Sequence, residues 1–262
     1  MKTGQGFAEG NRLRLLVAIP VYNEIKYVQH VLAKVRPFHD QILLVDDGST
    51  DGTAALLRTL EDAGQIQLLQ HGTNRGYGQS VIDSFNYSAR NGYDWVITMD
   101  CDEQHEPEMI PEFIRQIRTD QWDIISGSRY MESRADNDLP PGDRRTINAT
   151  ITVALNEMFN FGITDAFCGF KAHRVSSMIP LQLDESGYAF PLQLWPRAAR
   201  AGLRITELPV RLIYNDPNRH FGGDLDDADK RLKHYLDVLK RETARPVPVD
   251  SVCAEASCCC NE

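Results

Sequence analysis

Short apolar runs separated by amphipathic stretches fill the first half of the chain, and their alternation already predicts a fold. Leu13–Pro20, Gln41–Asp46, Gln65–Gln70 and Asp94–Met99 are brief, rich in Leu, Val and Ile, and each stops at polar or turn residues, as strands buried on both faces do. Between them, Lys26–Arg36 sets Val28, Val31, Leu32 and Val35 at helical spacing. Gly52–Asp62 does so with Ala55, Leu56 and Leu60, and Gly78–Ala89 with Val81, Ile82, Phe85 and Ala89. Strand and helix alternating in this way predict a doubly wound, Rossmann-like α/β sheet with right-handed crossovers. Ligands of such sheets gather beyond the carboxyl ends of the strands, so the residues after each apolar run carry the functional question.

The second half is less regular. Pro107–Arg118 reads as a helix opened by proline, Trp122–Ser128 and Gly202–Tyr214 as strands, and Asp224–Glu242 as a charged amphipathic helix. Ser133–Pro141 is a loop expected to move. Arg144–Phe161 is a helical stretch in which Glu157 is the only charge after Arg145, which makes it the candidate for a peripheral membrane contact or a buried interface. Residues 1–12 and 244–262 lack periodicity and are expected to be a flexible arm and a disordered tail around one domain spanning residues 13–243.

Charge and cysteine usage narrow the function classes. Lys+Arg 28 against Asp+Glu 37 gives a formal charge of -9, which argues against a nucleic-acid partner. Of the 6 cysteines, Cys253, Cys258, Cys259 and Cys260 lie in the expected tail and only Cys101 and Cys168 in the body, so no disulfide framework emerges. The first residues lack an apolar signal core, and no stretch reaches the roughly eighteen apolar residues of a membrane span. A cytoplasmic chain, working at the cytoplasmic membrane face if its substrate is a lipid, is expected.

Each strand end carries a distinct element. Pro20-Val-Tyr-Asn-Glu24 follows the first, with Asn23 a natural helix N-cap. The second ends in Asp46-Asp-Gly-Ser-Thr-Asp-Gly-Thr53, two adjacent carboxylates that need partners if buried. Asn74-Arg-Gly-Tyr-Gly78 opens a helix with glycines that let a phosphate or ribose approach. The fourth strand leads into Met99-Asp-Cys-Asp-Glu-Gln-His-Glu-Pro107, where Asp100 and Asp102 straddle one residue and Gln104 adds a neutral donor, a set suited to Mg²⁺ or Mn²⁺ on a diphosphate. His105 reads as a supporting or surface residue, since oxygen-rich company disfavours zinc.

With these motifs in this order, the sequence resembles the inverting family 2 glycosyltransferases, over roughly Leu13 to Arg241. Asp100–Pro107, Gly127-Ser-Arg-Tyr130 and Asp165-Ala-Phe-Cys-Gly-Phe-Lys171 resemble the dolichyl- or polyprenyl-phosphate branch, the mannosyl type above all. The resemblance implies a GT-A fold with a mixed, mainly parallel sheet. It implies that Pro20, Tyr22 and Glu24 line the base and ribose pocket, that Asp46 or Asp47 holds the base or ribose, and that Gly76 lets the nucleotide pack closely. Asp100, Asp102 and Gln104 would bind the metal and the donor diphosphate, with Asp102 counted as catalytic. Arg129 and Arg145 would grip the acceptor phosphate. Asp165 would serve as base or as pocket wall. Many members of this branch continue into transmembrane helices; a shorter chain implies a membrane-anchoring partner or an amphipathic contact.

The implied reaction moves a hexose, mannose from GDP-mannose, to a polyprenyl or dolichyl phosphate. A phosphate acceptor is already ionised at neutral pH and needs no strong base, whereas a hydroxyl acceptor would need a carboxylate, with Asp165 the first candidate. Three rivals are weighed. A UDP-sugar transferase acting on a hydroxyl keeps the family but changes the substrates, and a non-catalytic nucleotide-sugar binder keeps the pocket alone. A sugar-nucleotide pyrophosphorylase would need a Gly-rich basic loop where Pro20–Glu24 stands.

Overall fold

The computed structural model describes residues 13–214 and 222–245. The expected N-terminal arm and the expected tail beyond residue 245, with its four cysteines, lie outside them. Seven strands form one sheet in the order β3-β2-β1-β4-β6-β5-β7. They are β1 (Leu15–Val21), β2 (Ile42–Asp46), β3 (Gln67–Gln70), β4 (Trp95–Thr98), β5 (Ile124–Ser128), β6 (Lys171–Arg174) and β7 (Ile205–Pro209). All neighbours pair in parallel except β6, which runs against both β4 and β5. The expected doubly wound, mainly parallel mixed sheet is what the chain forms.

Helices cover both faces: α1 (Val28–Val35), α2 (Thr53–Asp62) and α4 (Ile110–Ile117) on one, α3 (Tyr77–Arg90), α5 (Gly142–Phe159), the short α6 (Val175–Met178), α7 (Pro191–Arg200) and α8 (Ala228–Ala244) on the other. Alternation along β1 divides the core. Leu16 and Ala18 pack with α3 and the later helices, Val17, Ile19 and Val21 with α1 and α4. Burial on both faces is why the central strands read as nearly continuous apolar runs.

The topology sets where a ligand can sit. Strand order runs outward from β1 through β2 to β3, then jumps back across β1 to β4, which opens a crevice between the carboxyl ends of β1 and β4. Because β4 and β5 are both antiparallel to β6, they point the same way, so the residues after each meet at one edge. The chain segment that enters β6, Asp165–Phe170, arrives at that edge too.

Four expectations need correction. Asn23 does not cap α1: that helix begins five residues later behind Tyr27, and Asn23 takes a left-handed conformation, φ 58°, inside a turn. The strand expected over Gly202–Tyr214 pairs only as Ile205–Pro209. Beyond it, Arg211–Tyr214 binds the expected mobile loop instead: Asp138 N donates to Leu212 O at 2.9 Å, Leu212 N to Asn137 Oδ1 at 3.0 Å and Tyr214 N to Asp138 Oδ2 at 2.8 Å. Finally, the apolar character of α5 belongs mainly to the core. Ile147, Ile151 and Leu155 are buried on it, while Val153 and Met158 stay exposed.

Candidate functional site

Two strand-end turns are stapled together at the nucleotide side of the crevice. Asn23 N donates to Ser49 Oγ at 2.9 Å, Thr50 N to Asn23 Oδ1 at 2.8 Å, and Ile25 N to Asp51 Oδ2 at 3.2 Å. The left-handed backbone at Asn23 is one that asparagine tolerates. Pro20, Tyr22 and Glu24 are thereby held at the rim of the cleft, with Tyr22 exposed and Glu24 buried.

The adjacent aspartates are both buried and are satisfied in different ways. Asp46 closes its own turn, accepting from Ser49 N at 3.0 Å and from Gln70 Nε2 at 3.1 Å, and it is not among the residues that line the cleft. Asp47 does line it. Its carboxylate accepts from Arg75 N and Gly76 N, both at 2.8 Å, and from His71 Nδ1 at 2.7 Å, so it builds the Asn74–Gly78 turn from below. His71 reaches on to Asp83 at 3.1 Å. Gly48 permits this approach, because with φ 76° and a Cβ that would lie 2.5 Å from Thr73 C no side chain fits there.

The acid loop after β4 leaves polar atoms open. Asp100 Oδ1 and the Gln104 amide nitrogen are buried without a partner, and both residues line the cleft with Asp102. Buried polar atoms are seldom left so, and each one calls for a water, an ion or a functional role. Asp102 Oδ1 accepts from Gln104 N at 3.0 Å, which curls the loop. His105 supports the loop from within: its Nδ1 accepts from Asp100 N at 3.0 Å, so its proton sits on Nε2, 3.7 Å from Asp100 Oδ2. Burial opposes its imidazolium, but Asp100, Cys168 and Asp102 together outweigh it and raise the His105 pKa. Glu103, at φ 59°, turns outward to His30 and Lys34 of α1.

Across the cleft, Arg129 follows β5 and is forked onto Asp165, Nε to Oδ2 at 2.6 Å and Nη2 to Oδ1 at 2.9 Å. Asp165 also accepts from Asn148 Nδ2 at 2.8 Å and Phe167 N at 3.1 Å. Burial alone would raise its pKa, but Arg129 overrides this and brings it down to about 2. Fully buried and absent from the cleft lining, Asp165 faces Arg129 rather than a substrate. Arg145 is exposed and lies 6.0 Å from the Tyr130 ring centre, outside the lining; its neighbour Arg144 lines the cleft and sits 5.4 Å over Tyr214.

Sequence reasoning missed several lining groups. Lys171, buried between the two halves, donates to Cys168 O and lies 5.5 Å over the Trp195 ring, and burial lowers its pKa. His173 is pushed down to about 3 by burial and Lys171. Arg231 of α8 is buried against Asp143 and Leu225 O. The paired glycines and acids announced themselves as motifs; a Lys and a His in a strand without apolar pattern did not.

Together these residues line a cleft of about 700 Å³. One end is built by Pro20–Glu24, Asp47, Gly76 and the acid loop. The other has Arg129 and Arg144 among aromatic rings, with Phe167 stacked on Tyr235 at 5.1 Å and Tyr130 and Tyr214 beside the arginines. Polar at one end, cationic and aromatic at the other, the cleft suits a phosphorylated polar ligand meeting an anion with an apolar tail.

Comparison with known proteins agrees with this geometry. The profile described as Glycosyl transferase family 2 matches residues 16–180. An undecaprenyl-phosphate mannosyltransferase of Micrococcus luteus is 32% identical over 225 residues, covering 82% of this chain and 91% of that protein. A polyprenol monophosphomannose synthase of Mycolicibacterium smegmatis is 30% identical over 204 residues, covering 75% and 76%. Among solved structures, a glucosyl-3-phosphoglycerate synthase of Mycobacterium tuberculosis in complex with Mn²⁺ and UDP superposes with a TM-score of 0.65 at 19% identity, over 89% of this chain and 80% of that one. It shows the same GT-A fold.

Proposed function

The chain belongs to glycosyl transferase family 2, and from that premise we propose that it transfers a hexose, mannose from GDP-mannose, to a polyprenyl phosphate. The observation that carries the reading is the opposition of two sites in one cleft. Asp100, Asp102 and Gln104 line it on one side, with Asp100 Oδ1 and the Gln104 amide nitrogen buried and unpartnered, and Arg129 in its aromatic setting lines it on the other. The two relatives described above act, by name, on such lipid phosphates.

Asp100 and Asp102 fit a divalent cation. The unpartnered carboxylate oxygen supplies a hard donor, and Gly169 leaves room at that carboxylate that a Cβ, 2.6 Å from Asp100 Oδ2, would fill. Among the described residues no cluster of three or more His, Cys, Asp or Glu could hold a metal. The remaining ligands would come from the donor diphosphate and water. Bound Mg²⁺ or Mn²⁺ supplies Lewis acidity to the leaving diphosphate. The Gln104 amide, a donor, suits a phosphate oxygen better than a cation.

In the reaction an acceptor phosphate oxygen attacks the anomeric carbon. The bond from that carbon to the β-phosphate oxygen breaks, and the nucleoside diphosphate leaves with the electron pair. Arg129, held rigid by Asp165, and Arg144 orient the acceptor phosphate. No proton need be removed, which accords with Asp165, the candidate base, being spent on Arg129. This arrangement favours the phosphate acceptor over a hydroxyl acceptor.

The lipid would be met at a surface. Among the described residues no helix is long and apolar enough to cross a membrane. Met131 and Leu139, exposed on the segment that carries the cleft-lining Tyr130 and Pro140, serve this contact better than α5 does, alone or beside a membrane-anchoring partner.

The test is a thermal-shift series with GDP and UDP, each with Mn²⁺ or chelator, followed by transfer assays on undecaprenyl phosphate in detergent micelles. A ligand at 100 times its dissociation constant adds about 2.7 kcal/mol. Metal-dependent stabilisation by GDP and mannosyl transfer to the lipid are expected. Both should vanish in Asp102→Ala while its unfolding midpoint stays near wild type. Stabilisation by UDP alone would transfer the reading to a UDP-sugar donor, and binding without turnover would leave only a nucleotide-sugar binder.

A further inference from the structure

Tyr77 occupies a place that neither the nucleotide turn nor the acid loop explains by itself. It is the first residue of α3, immediately after Gly76, whose amide is held by Asp47. Its side chain lines the cleft and carries its hydroxyl to the Asp100 carboxylate. A Cβ built on Gly169 would lie 2.6 Å from Asp100 Oδ2, 2.9 Å from Oδ1 and 2.9 Å from the Tyr77 hydroxyl, so these three groups converge on one backbone spot.

The ring is held as firmly as the hydroxyl. Tyr188 stacks on it with centroids 5.8 Å apart and planes inclined by 12°. The backbone leading to Tyr188 lies directly over the flanks of Tyr77: a Cβ on Gly76 would meet Ser186 O at 2.3 Å, and one on Gly78 would meet Glu185 O at 2.2 Å. That backbone is itself pinned by the buried Gln193 of α7, whose Oε1 accepts from Asp184 N at 2.7 Å and Glu185 N at 2.8 Å. A rigid support therefore runs from α7 through residues 184–188 to Tyr77 and ends at Asp100.

We propose that Tyr77 is a positioning residue: its hydroxyl restrains the Asp100 carboxylate at its place in the cleft lining, and Tyr188 clamps its ring, coupling the nucleotide turn to the cation site. This deepens the reading of Asp100 as a cation ligand and rests on it. A carboxylate free to rotate would lose cation affinity through the conformational freedom it must surrender on binding. The nucleotide turn, fixed separately by Asp47, would be untouched.

The experiment measures Mn²⁺ affinity from the free-ion electron paramagnetic resonance signal, in the presence of whichever of GDP or UDP gives metal-dependent stabilisation of the wild type. Nucleotide affinity in chelator and the unfolding midpoint are recorded alongside. Tyr77→Phe, which removes only the hydroxyl, is expected to weaken Mn²⁺ about tenfold, the scale of one hydrogen bond to a charged group. Nucleotide affinity in chelator and the midpoint should stay at wild-type values. Tyr188→Leu, which keeps the hydroxyl and removes the clamp, should weaken Mn²⁺ about threefold, and the double variant should be no worse than Tyr77→Phe, because both act through one restraint. Wild-type Mn²⁺ affinity in Tyr77→Phe overturns the proposal, and so does an equal loss of nucleotide affinity with and without metal. If wild type binds no Mn²⁺ with either nucleotide, the cation reading of Asp100 itself has failed, and Tyr77 falls with it.

Discussion

Arg129 and Asp165, thirty-six positions apart, form a two-pronged ion pair with contacts of 2.6 and 2.9 Å, the aspartate side chain fully buried and the arginine side chain 22% exposed. A carboxylate so enclosed is tolerable only because Arg129, Asn148 and backbone amides satisfy it. The pair thus does two things: it completes the core beneath β5 and it fixes a cation at the acceptor end of the cleft.

Asp165→Asn should therefore cost about 3 kcal/mol of stability, because it leaves Arg129 without its counter-charge. The deficit should depend on pH in a definite sense. The unfolded carboxyl titrates near 3.8 and the folded one at about 2, so the unfolded chain binds the extra proton between those values and stability falls as pH drops. The wild-type advantage over Asp165→Asn should be whole above about pH 4 and shrink by about 2 kcal/mol by pH 2. Urea unfolding across that range reads both quantities, and a variant as stable as wild type at pH 7 would refute the role.

His173 predicts a second acid limb at higher pH. Its imidazole is buried beside Phe85 and Lys171 and holds a folded pKa of about 3 against 6.5 in the open chain. The unfolded state then gains a proton first as pH falls below 6.5, and stability is lost by about 1.4 kcal/mol per pH unit on this account. Above pH 6.5 the group contributes no slope. His173→Gln should flatten the stability profile between pH 6.5 and 5 by that amount; parallel profiles for wild type and variant would show that His173 is not buried in its neutral form.

How far the site was legible follows from how local each signal was. β1 to β4 were readable because their apolar runs need no partner to identify them. β6, Lys-Ala-His-Arg, was not, since only its antiparallel pairing with β4 and β5 makes it a strand, and its Lys and His are polar groups buried at the cleft floor. α7 contains Pro191 and Pro196, and proline obscures a helical pattern even where, as at Pro191, it merely opens the helix. Within the site, the spacing of Asp100, Asp102 and Gln104 was sufficient to bring them together. Arg144 and Arg145 were not separable, because adjacent helical positions differ by about 100° in direction and only the packing of α5 decides which one faces the cleft. The partnership of Asp165 with Arg129, formed across the fold, left no trace in either motif alone.

The buried aspartates Asp47 and Asp102 both line the cleft, and their contacts predict different losses. Asp47 spends its oxygens on three donors, Arg75 N, Gly76 N and His71 Nδ1. Asn in its place keeps one oxygen and turns an NH₂ toward at least one of those donors, a mismatch worth about 1–3 kcal/mol. The turn at Asn74–Gly78 should loosen, and GDP or UDP affinity should fall about tenfold in chelator and in Mn²⁺ alike. Asp102→Ala, by contrast, removes a group that accepts from Gln104 N within the acid loop, and it should abolish the metal-dependent part of binding while sparing the rest. Calorimetric titration of both variants with and without Mn²⁺ separates the two roles. Should Asp47→Asn lose only the metal-dependent part, Asp47 would belong to the cation site and not to the scaffold of the nucleotide turn.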